Sequence, residues 1–168
     1  PETLSFIGGN LEINDGTFFR VTETFDDGYE YTETFPLGIL TASQINLASI
    51  ADKGEILIND LDVSTFNKLG DISITNNSLL DTSGIRGGNI FIRGGEFVMN
   101  DSKIFSKTLG DENGGIIDIQ ANNVSLLDGA EISGSTQDTG TSSEIKIQAT
   151  DSIMIDGENT AGIPGSIY

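Results

Sequence analysis

One short phrase, a small residue followed by two isoleucines with a single residue between them, recurs through the second half of the chain. Its copies are Gly88-Asn-Ile-Phe-Ile, Gly115-Ile-Ile-Asp-Ile, Ser143-Glu-Ile-Lys-Ile and a truncated Gly165-Ser-Ile. The first isoleucine of each alternating pair is Ile90, Ile117, Ile145 or Ile167, so the steps between copies are 27, 28 and 22 residues. Such steps are typical of solenoids, in which small units stack on one another.

Each unit contains more than its opening pair of isoleucines. A second alternating triplet follows, and a third short apolar patch follows in two of the units. These segments are Val98-Met-Asn100, Val124-Ser-Leu126, Ile153-Met-Ile155, Lys103-Ile-Phe105 and Glu131-Ile-Ser133. Period-two alternation directs Ile90 and Ile92 to a core and the residues beside them to water. Strands this closely spaced leave no room for crossover helices, so we predict an all-β, right-handed parallel β-helix with about 18–28 residues per coil.

Glycine and asparagine mark the expected corners. Gly87-Gly88, Gly94-Gly95 and Gly114-Gly115 fall at predicted strand edges, and Asp128-Gly129 and Asp156-Gly157 follow second strands. Such corners need either a positive φ or a place where a side chain has no room. The pairs Asn76-Asn77 and Asn122-Asn123 are expected to form side-chain ladders between coils rather than a binding site.

The first seventy residues are less regular. Leu4-Ser-Phe6 and Leu11-Glu-Ile13 predict two strands of a first coil. Residues 21–35 form two alternating segments around Asp26-Asp27-Gly28, which predicts an antiparallel hairpin inserted into the solenoid. Its two faces are mixed, so we expect only part of it to pack on the coil, or else to cover an exposed side of the helix or contact a neighbouring chain.

After this hairpin the coil is expected to resume. The predicted strands are Ile45-Asn-Leu47, Ile56-Leu-Ile58 and the looser Asp62-Val-Ser64. Gly70-Asp-Ile-Ser-Ile74 repeats the opening phrase, with Ile72 standing 18 residues before Ile90. We therefore predict a short coil there, and a single domain that covers residues 1–168.

The composition favours a secreted, soluble protein. Cysteine is absent, so the stability must come from the apolar column, and the net charge of −18 disfavours nucleic acid and anionic membranes as partners. No apolar stretch is long enough to insert into a membrane. The chain opens at Pro1 without a leader pattern and stops at Tyr168 as a new coil would begin, so we expect a segment of a longer protein.

Four phrases in order carry a family resemblance. They are Thr3-Leu-Ser-Phe-Ile-Gly-Gly-Asn-Leu-Glu-Ile-Asn-Asp-Gly16, Gly70-Asp-Ile-Ser-Ile-Thr-Asn-Asn-Ser78, Gly87-Gly-Asn-Ile-Phe-Ile92 and Ala121-Asn-Asn-Val-Ser-Leu-Leu-Asp-Gly-Ala-Glu-Ile-Ser133. Together they resemble the filamentous haemagglutinin family of two-partner secretion exoproteins, in the cyanobacterial type, just beyond the secretion domain. The resemblance covers most of the chain apart from 21–35. It implies a secreted or cell-surface β-helix for adhesion or display.

The resemblance also implies partners. These are a component of a host cell, a neighbouring cell or the extracellular matrix, of protein or glycan, and an outer-membrane transporter that would bind through an upstream domain. The Asn-Pro-Asn-Gly type signature of the secretion domain does not occur in this sequence. Transporter recognition is therefore not expected of these residues themselves.

Catalysis is not expected. Without histidine or cysteine, triads and imidazole bases cannot form, and only carboxylate chemistry remains. The one adjacent acidic pair, Asp26-Asp27, is interpreted as a turn. Ser102 and Lys103 are expected to point to opposite faces of a strand, which argues against a Ser-Lys dyad. We predict no catalytic and no cofactor-binding residues.

Two acidic groups and the aromatic residues of the hairpin are the candidates for metal and sugar sites. Asp111-Glu112-Asn113, or Glu23 with Asp26, Asp27 and Glu30, offers oxygen atoms for calcium, but solvated turns explain both groups better and we predict no metal site. The aromatic residues near the hairpin are expected to pack rather than to stack on sugars; they are Phe18, Phe19, Tyr29, Tyr31 and Phe35.

Two functions remain open. The first is a non-catalytic structural or adhesive module of a large exoprotein. The alternative is a β-helix that binds or cleaves glycans through acidic surface residues.

Overall fold

A computed structural model describes residues 2–14, 18–24, 30–35, 39–56 and 61–168. In this part of the chain every regular element is a β-strand and there is no helix, as predicted. The strands are β1 Thr3–Gly8, β2 Asn10–Asn14, β3 Phe18–Thr24, β4 Glu30–Phe35, β5 Ile39–Thr41, β6 Gln44–Ser49, β7 Ile72–Thr75, β8 Leu79–Asp81, β9 Asn89–Asn100, β10 Lys103–Phe105, β11 Ile116–Leu127, β12 Glu131–Ser133, β13 Glu144–Asp156 and β14 Ser166–Ile167. They form a nine-stranded sheet and a five-stranded sheet, in which all pairs are parallel except those made by β3.

The large sheet contains a first column of stacked strands. Strands β1, β6, β9, β11 and β13 follow one another in parallel register. Their equivalent inward residues are Leu4, Ile45, Ile90, Ile117 and Ile145. The predicted pairing of the isoleucine phrases is thus confirmed for three layers. Successive layers are 41, 45, 27 and 28 residues apart, so the first two are much longer than expected.

A second column lies in the same sheet. Strands β2 and β7 pair with each other, and β7 pairs with the second half of β9, which continues into β11 and β13. The equivalent residues are Leu11, Ile72, Phe97, Val124 and Ile153. In the last three layers the first and second positions run as one strand of 12 or 13 residues. Gly94-Gly95 therefore lies inside β9 rather than at a strand edge.

The small sheet supplies a third column. Its strands are ordered β5, β8, β10, β12, β14 and are parallel throughout. The equivalent residues are Leu40, Leu80, Ile104, Ile132 and Ile167. Both short patches predicted at Lys103 and Glu131 are strands of this sheet, and the chain passes through the three positions five times.

Three sequence assignments are corrected by this register. Ile167 pairs with Ile132 and so completes the fifth layer instead of opening another. Ile72 pairs with Phe97 and belongs to the second column, so the predicted short coil before Ile90 does not exist. In β9 the inward residues are Phe97 and Met99, one residue before the predicted triplet. The first two errors share one cause, because an alternating apolar pattern does not reveal which strand position it occupies. The third arises because Phe97, Val98 and Met99 form a continuous apolar run, which has no alternation to select the buried face.

The core is one apolar cluster to which the inward residues of all three columns contribute. Ile90, Ile92, Ile117 and Ile119 are fully buried, whereas Ile145 and Ile147 of the last layer are partly buried against them. In the second column Val124 and Leu126 are fully buried, and Ile153 and Ile155 above them are about half exposed. Burial thus decreases toward β13.

The predicted corners divide into two kinds. Asp128, Gly129 and Gly157 have positive φ angles, as expected after the second strands. Gly88 and Gly115 instead lie where the chain backbones approach closely, and a Cβ at Gly115 would meet the carbonyl oxygen of Gly88. The glycine pairs before the strands are therefore required by space rather than by a positive φ.

Strands β3 and β4 lie outside the three columns. Strand β3 pairs antiparallel with β4, with Thr22 opposite Thr32, and also pairs antiparallel with the free side of β2. The pairing of the two segments agrees with the predicted hairpin, whereas Asp26, Asp27 and Gly28 lie outside the described residues. The addition of β3 to β2 was not anticipated, and it covers the second column at its first layer.

A second excursion follows β6. An antiparallel bridge joins Ile50 to Leu69, and the carboxylate of Asp52 accepts hydrogen bonds from the backbone amides of Lys53 and Asn67 at 2.8 and 3.0 Å. These bonds lower the pKa of Asp52 below its ordinary value. The predicted strand at Asp62-Val-Ser64 is absent, because these residues form irregular chain and the start of a turn, and the strand at Ile56-Leu-Ile58 lies largely outside the described residues.

Candidate functional site

A buried pair of opposite charges lies on the outer face of the first column. Arg93 and Asp118 point away from the apolar core, yet they are only 5% and 7% exposed. The second excursion lies over them, since its Leu61 lines the same cleft as Arg93. Leu61 is only 2% exposed and has a φ of +47°. Sequence reasoning missed this cluster because its cover comes from a segment about thirty residues upstream.

Arg93 makes three hydrogen bonds to acceptors in β9 and β11. Nη2 donates to Asp118 Oδ2 at 2.9 Å, and Nη1 donates to the backbone carbonyls of Asp118 and Ile92 at 2.8 and 2.9 Å. The guanidinium also lies 5.8 Å from the centroid of the Phe91 ring, within cation–π range. Gln120 Nε2 donates to both oxygens of Asp118 at 3.3 Å. Each charge is thus paired and hydrogen-bonded, which is the condition for burying an ion pair.

A small cleft separates this cluster from the excursion. Its volume is about 340 Å³, and its lining residues are Leu61, Asp62, Val63, Ser64, Arg93 and Gln120. On the excursion side, the hydroxyl and the backbone amide of Ser64 lower the pKa of Asp62 below its ordinary value. Because the hydrogen bonds of Arg93 all go to acceptors in β9 and β11, the cluster joins these two strands on the floor of the cleft.

A larger groove opens at the corner between the small sheet and the first column. It has a volume of about 870 Å³ and is lined mainly by hydroxyl, amide and backbone groups of the first three layers, together with Glu2, Arg86 and Glu112. The turn that borders it is closed by a hydrogen bond of 2.8 Å from the amide of Gly88 to the carbonyl of Thr82. Ile85 projects from this turn and is 68% exposed. A groove of this kind can hold an extended polar ligand, but it has no nucleophile paired with a base.

Beneath this corner two buried serines join neighbouring layers. The hydroxyl oxygens of Ser106 and Ser143 are 2.8 Å apart, and each also donates to a backbone carbonyl or accepts from a backbone amide. With no base beside them, these hydroxyls are structural. Among the described residues, Thr108 Oγ1 nearby is buried without a hydrogen-bond partner.

Of the acidic groups that the sequence offered for calcium, only Asp111-Glu112-Asn113 lies wholly within the described residues. Asp111 and Glu112 lie on an exposed turn, where Asn113 Oδ1 accepts a bond of 3.3 Å from Thr141. Within the described ranges no group of three or more acidic, histidine or cysteine side chains is placed to hold a metal. Ser102 is buried and bonds backbone groups, while Lys103 is exposed, so the two do face opposite ways. Asp26, Asp27 and Tyr29, and the other aromatic side chains of the hairpin, lie outside what the structure describes.

Asparagines of both pairs connect layers through their side chains, as expected, although Asn122 and Asn123 bond hydroxyl groups rather than other asparagines. Asn76, in the left-handed region, donates from Nδ2 to Asn14 Oδ1 at 2.9 Å. Asn123 accepts from the hydroxyl of Ser152 at 2.7 Å, and Asn122 accepts from Thr150 at 3.4 Å. One pair is an asparagine ladder, and the other uses hydroxyl donors from the next layer.

Comparisons of the chain with models of known families, with curated proteins and with solved structures found no match. Among the described residues we find no helix with the length and hydropathy needed to cross a bilayer.

Proposed function

We propose that the chain is a single domain, residues 1–168, wound as a right-handed parallel β-helix with residues 21–35 as an insertion. We further propose that it is a non-catalytic structural and adhesive module of a large secreted or surface-exposed exoprotein, similar to filamentous haemagglutinin. One observation carries the proposal: five passes of the chain occupy the same three strand positions in parallel register.

This arrangement suits a spacer. Each layer buries its apolar residues only against its neighbours, so stability accumulates along one axis and the length of the column follows the number of layers. Function can then be carried by the corners, where turns differ in length while the strands remain equivalent. A rigid column with variable corners is the geometry that holds an adhesive surface away from a cell.

Contacts with a partner are proposed at the polar groove beside the turn of residues 82–88. This groove combines an exposed apolar tip at Ile85, a cation at Arg86 and many hydroxyl groups. Such a mixture suits a component of a host cell, a neighbouring cell or the extracellular matrix, of protein or glycan. An outer-membrane transporter would act through an upstream domain rather than through this groove.

Binding assays on cells and on a glycan array test the adhesive role, with Arg86→Ala and Ile85→Ala as groove variants. Both side chains lie on an exposed turn, so the variants should fold. The matched control is Ile163→Ala, which removes a similarly exposed isoleucine from the fifth layer, outside the groove. Binding that falls in the groove variants alone supports the proposal. Equal binding by all variants contradicts the assignment of this groove.

A second candidate function is glycan binding with cleavage in the same groove, which contains two carboxylates, Glu2 and Glu112. A reducing-sugar assay on polysaccharides separates the candidates. Turnover that is lost in Glu112→Gln would establish the enzyme and overturn the non-catalytic proposal. Binding without turnover supports adhesion.

A further inference from the structure

The turn that leads into β11 contains the only asparagine of the sequence that is followed by glycine, Asn113-Gly114. Asn113 is exposed, and Gly114 and Gly115 complete the turn before β11 begins at Ile116. Strand β11 pairs with β9 on one side and with β13 on the other. The turn therefore lies within the stack, with a layer on each side of it.

An asparagine before glycine is open to an attack by its own backbone. The nitrogen of the following residue can bond to the side-chain Cγ and close a succinimide ring, and glycine has no Cβ to hinder that closure. The reaction needs an acceptor for the proton of the attacking nitrogen. It also needs a donor to the side-chain oxygen, on which negative charge develops.

The hydroxyl of Thr141 meets both needs at once. Thr141 Oγ1 accepts a hydrogen bond from the amide of Gly114 at 3.3 Å and donates one to Asn113 Oδ1 at 3.3 Å. The amide of Gly114 also donates to the carbonyl of Thr141 at 3.0 Å, which holds the turn against the next layer. One hydroxyl thus touches the nitrogen that attacks and the oxygen that becomes charged, although it lies 27 residues beyond Gly114.

We infer that Asn113 is a site of spontaneous deamidation, assisted by the hydroxyl of Thr141. The nitrogen of Gly114 bonds to Cγ of Asn113 while its proton passes through Thr141 Oγ1 to Oδ1. The bond from Cγ to Nδ2 then breaks, the proton on Oδ1 goes to the departing nitrogen, and ammonia leaves. Water adds to one of the two carbonyls of the succinimide and opens the ring to aspartate or isoaspartate.

The products alter the turn in two ways. Both place a third carboxylate beside Asp111 and Glu112, and Glu112 lines the polar groove. Isoaspartate also lengthens the backbone where neighbouring layers are in contact, since a Cβ at Gly114 would already meet the backbone of Ser142 and Ser143. Deamidation therefore adds charge at the rim of the groove, and its isoaspartate product loosens the contact between the fourth and fifth layers.

Peptide mapping by mass spectrometry, during incubation of the folded protein in mildly alkaline buffer, measures the loss of Asn113. Thr141→Val removes the hydroxyl at nearly constant shape, and Thr141→Ser retains it. Thr139→Val is the matched control, because Thr139 is an exposed threonine of the same turn as Thr141. We expect Thr141→Val to deamidate roughly tenfold more slowly than wild type, and Thr141→Ser and Thr139→Val to match wild type.

Asn67 provides a reference within the same digest, because it is exposed but is followed by Lys68. It should remain intact while Asn113 is converted, and circular dichroism confirms that each variant is folded. An intact Asn113 in wild type overturns the inference. So does equal or faster conversion in Thr141→Val, since Thr141 would then restrain the turn without assisting the reaction.

The isoaspartate product has its own readout. Separation of the aged protein into isoaspartate and aspartate forms allows their thermal unfolding to be compared with Asn113→Asp, which carries the same charge on a backbone of ordinary length. We expect the isoaspartate form to unfold at a lower temperature than Asn113→Asp. Equal midpoints would contradict the loosening of the contact at Gly114.

Discussion

The guanidinium of Arg93 and the carboxylate of Asp118 are joined across 2.9 Å on the outer face of the sheet, where water would ordinarily reach them. Removal of one member leaves the other charge buried and unpaired. We expect Asp118→Ala to lower the free energy of unfolding by about 3 kcal/mol, measured by urea denaturation. The paired change of Arg93→Met with Asp118→Leu should lose much less, because no charge remains buried. A double variant as unstable as the single one would contradict this account.

The difference in burial between layers predicts that replacement of isoleucine by alanine lowers the free energy of unfolding more in the fourth layer than in the fifth. Ile119 is fully buried in the fourth layer, whereas Ile155 in the fifth is about half exposed. Ile119→Ala should lower the free energy of unfolding by about 3 kcal/mol, and Ile155→Ala by less than about 1 kcal/mol. Urea unfolding of the two variants measures the difference. Similar losses would show that the fifth layer is packed as tightly as the fourth.

Close approach of neighbouring layers predicts which glycines can be replaced by alanine. A Cβ at Gly115 would collide with the carbonyl of Gly88, which is backbone and cannot swing aside. Gly162 has a φ of +75° but no atom within 4 Å of an added Cβ. Gly115→Ala should prevent native folding or lower the midpoint of thermal unfolding strongly, while Gly162→Ala should cost about 1 kcal/mol of backbone strain. Circular dichroism during heating compares them, and a well-folded Gly115→Ala would contradict the observed spacing of the layers.

The pKa of Tyr168, at the end of the fifth layer, should depend on Glu131 in the fourth layer. Its hydroxyl donates a hydrogen bond to Glu131 Oε1, and this bond raises the pKa of Tyr168 above its ordinary value of 10.0. Because the folded pKa is the higher one, the bond contributes stability below the unfolded pKa and the contribution is lost as the pH rises through the folded pKa. Glu131→Gln should lower the pKa of Tyr168, observed by NMR titration of the tyrosine rings. Glu144→Gln serves as control, and an unchanged pKa in Glu131→Gln would remove the hydrogen bond as its cause.

The sequence was most informative where apolar alternation and spacing acted together. The spacing of Ile90, Ile117 and Ile145 predicted three stacked strands and their register correctly. It misplaced Ile72 because the same phrase serves the second column as well as the first. Alternation reports which face of a strand is buried, but it does not report the partner strand.

The candidate site was harder to predict for a different reason. Arg93 and Asp118 occupy outward positions, where charged residues are ordinarily solvated and carry no structural information. Their burial arises from the segment that contains Leu61, which lies far away in sequence and lacks a regular pattern. Burial by a segment that is distant along the chain produces no periodic pattern in the sequence. Alignment of the repeats could only have shown that Arg93 and Asp118 lie on adjacent strands, two places apart.

The first two layers are 41 and 45 residues long, while the later ones take 27 and 28, and all five remain aligned. The longer layers thus place their additional residues outside the stacked strands, and the register of the strands is unchanged. In the proposed β-helix the number of layers would therefore set the length of the column, and a foreign segment inserted at a bend should leave the stacked strands in register.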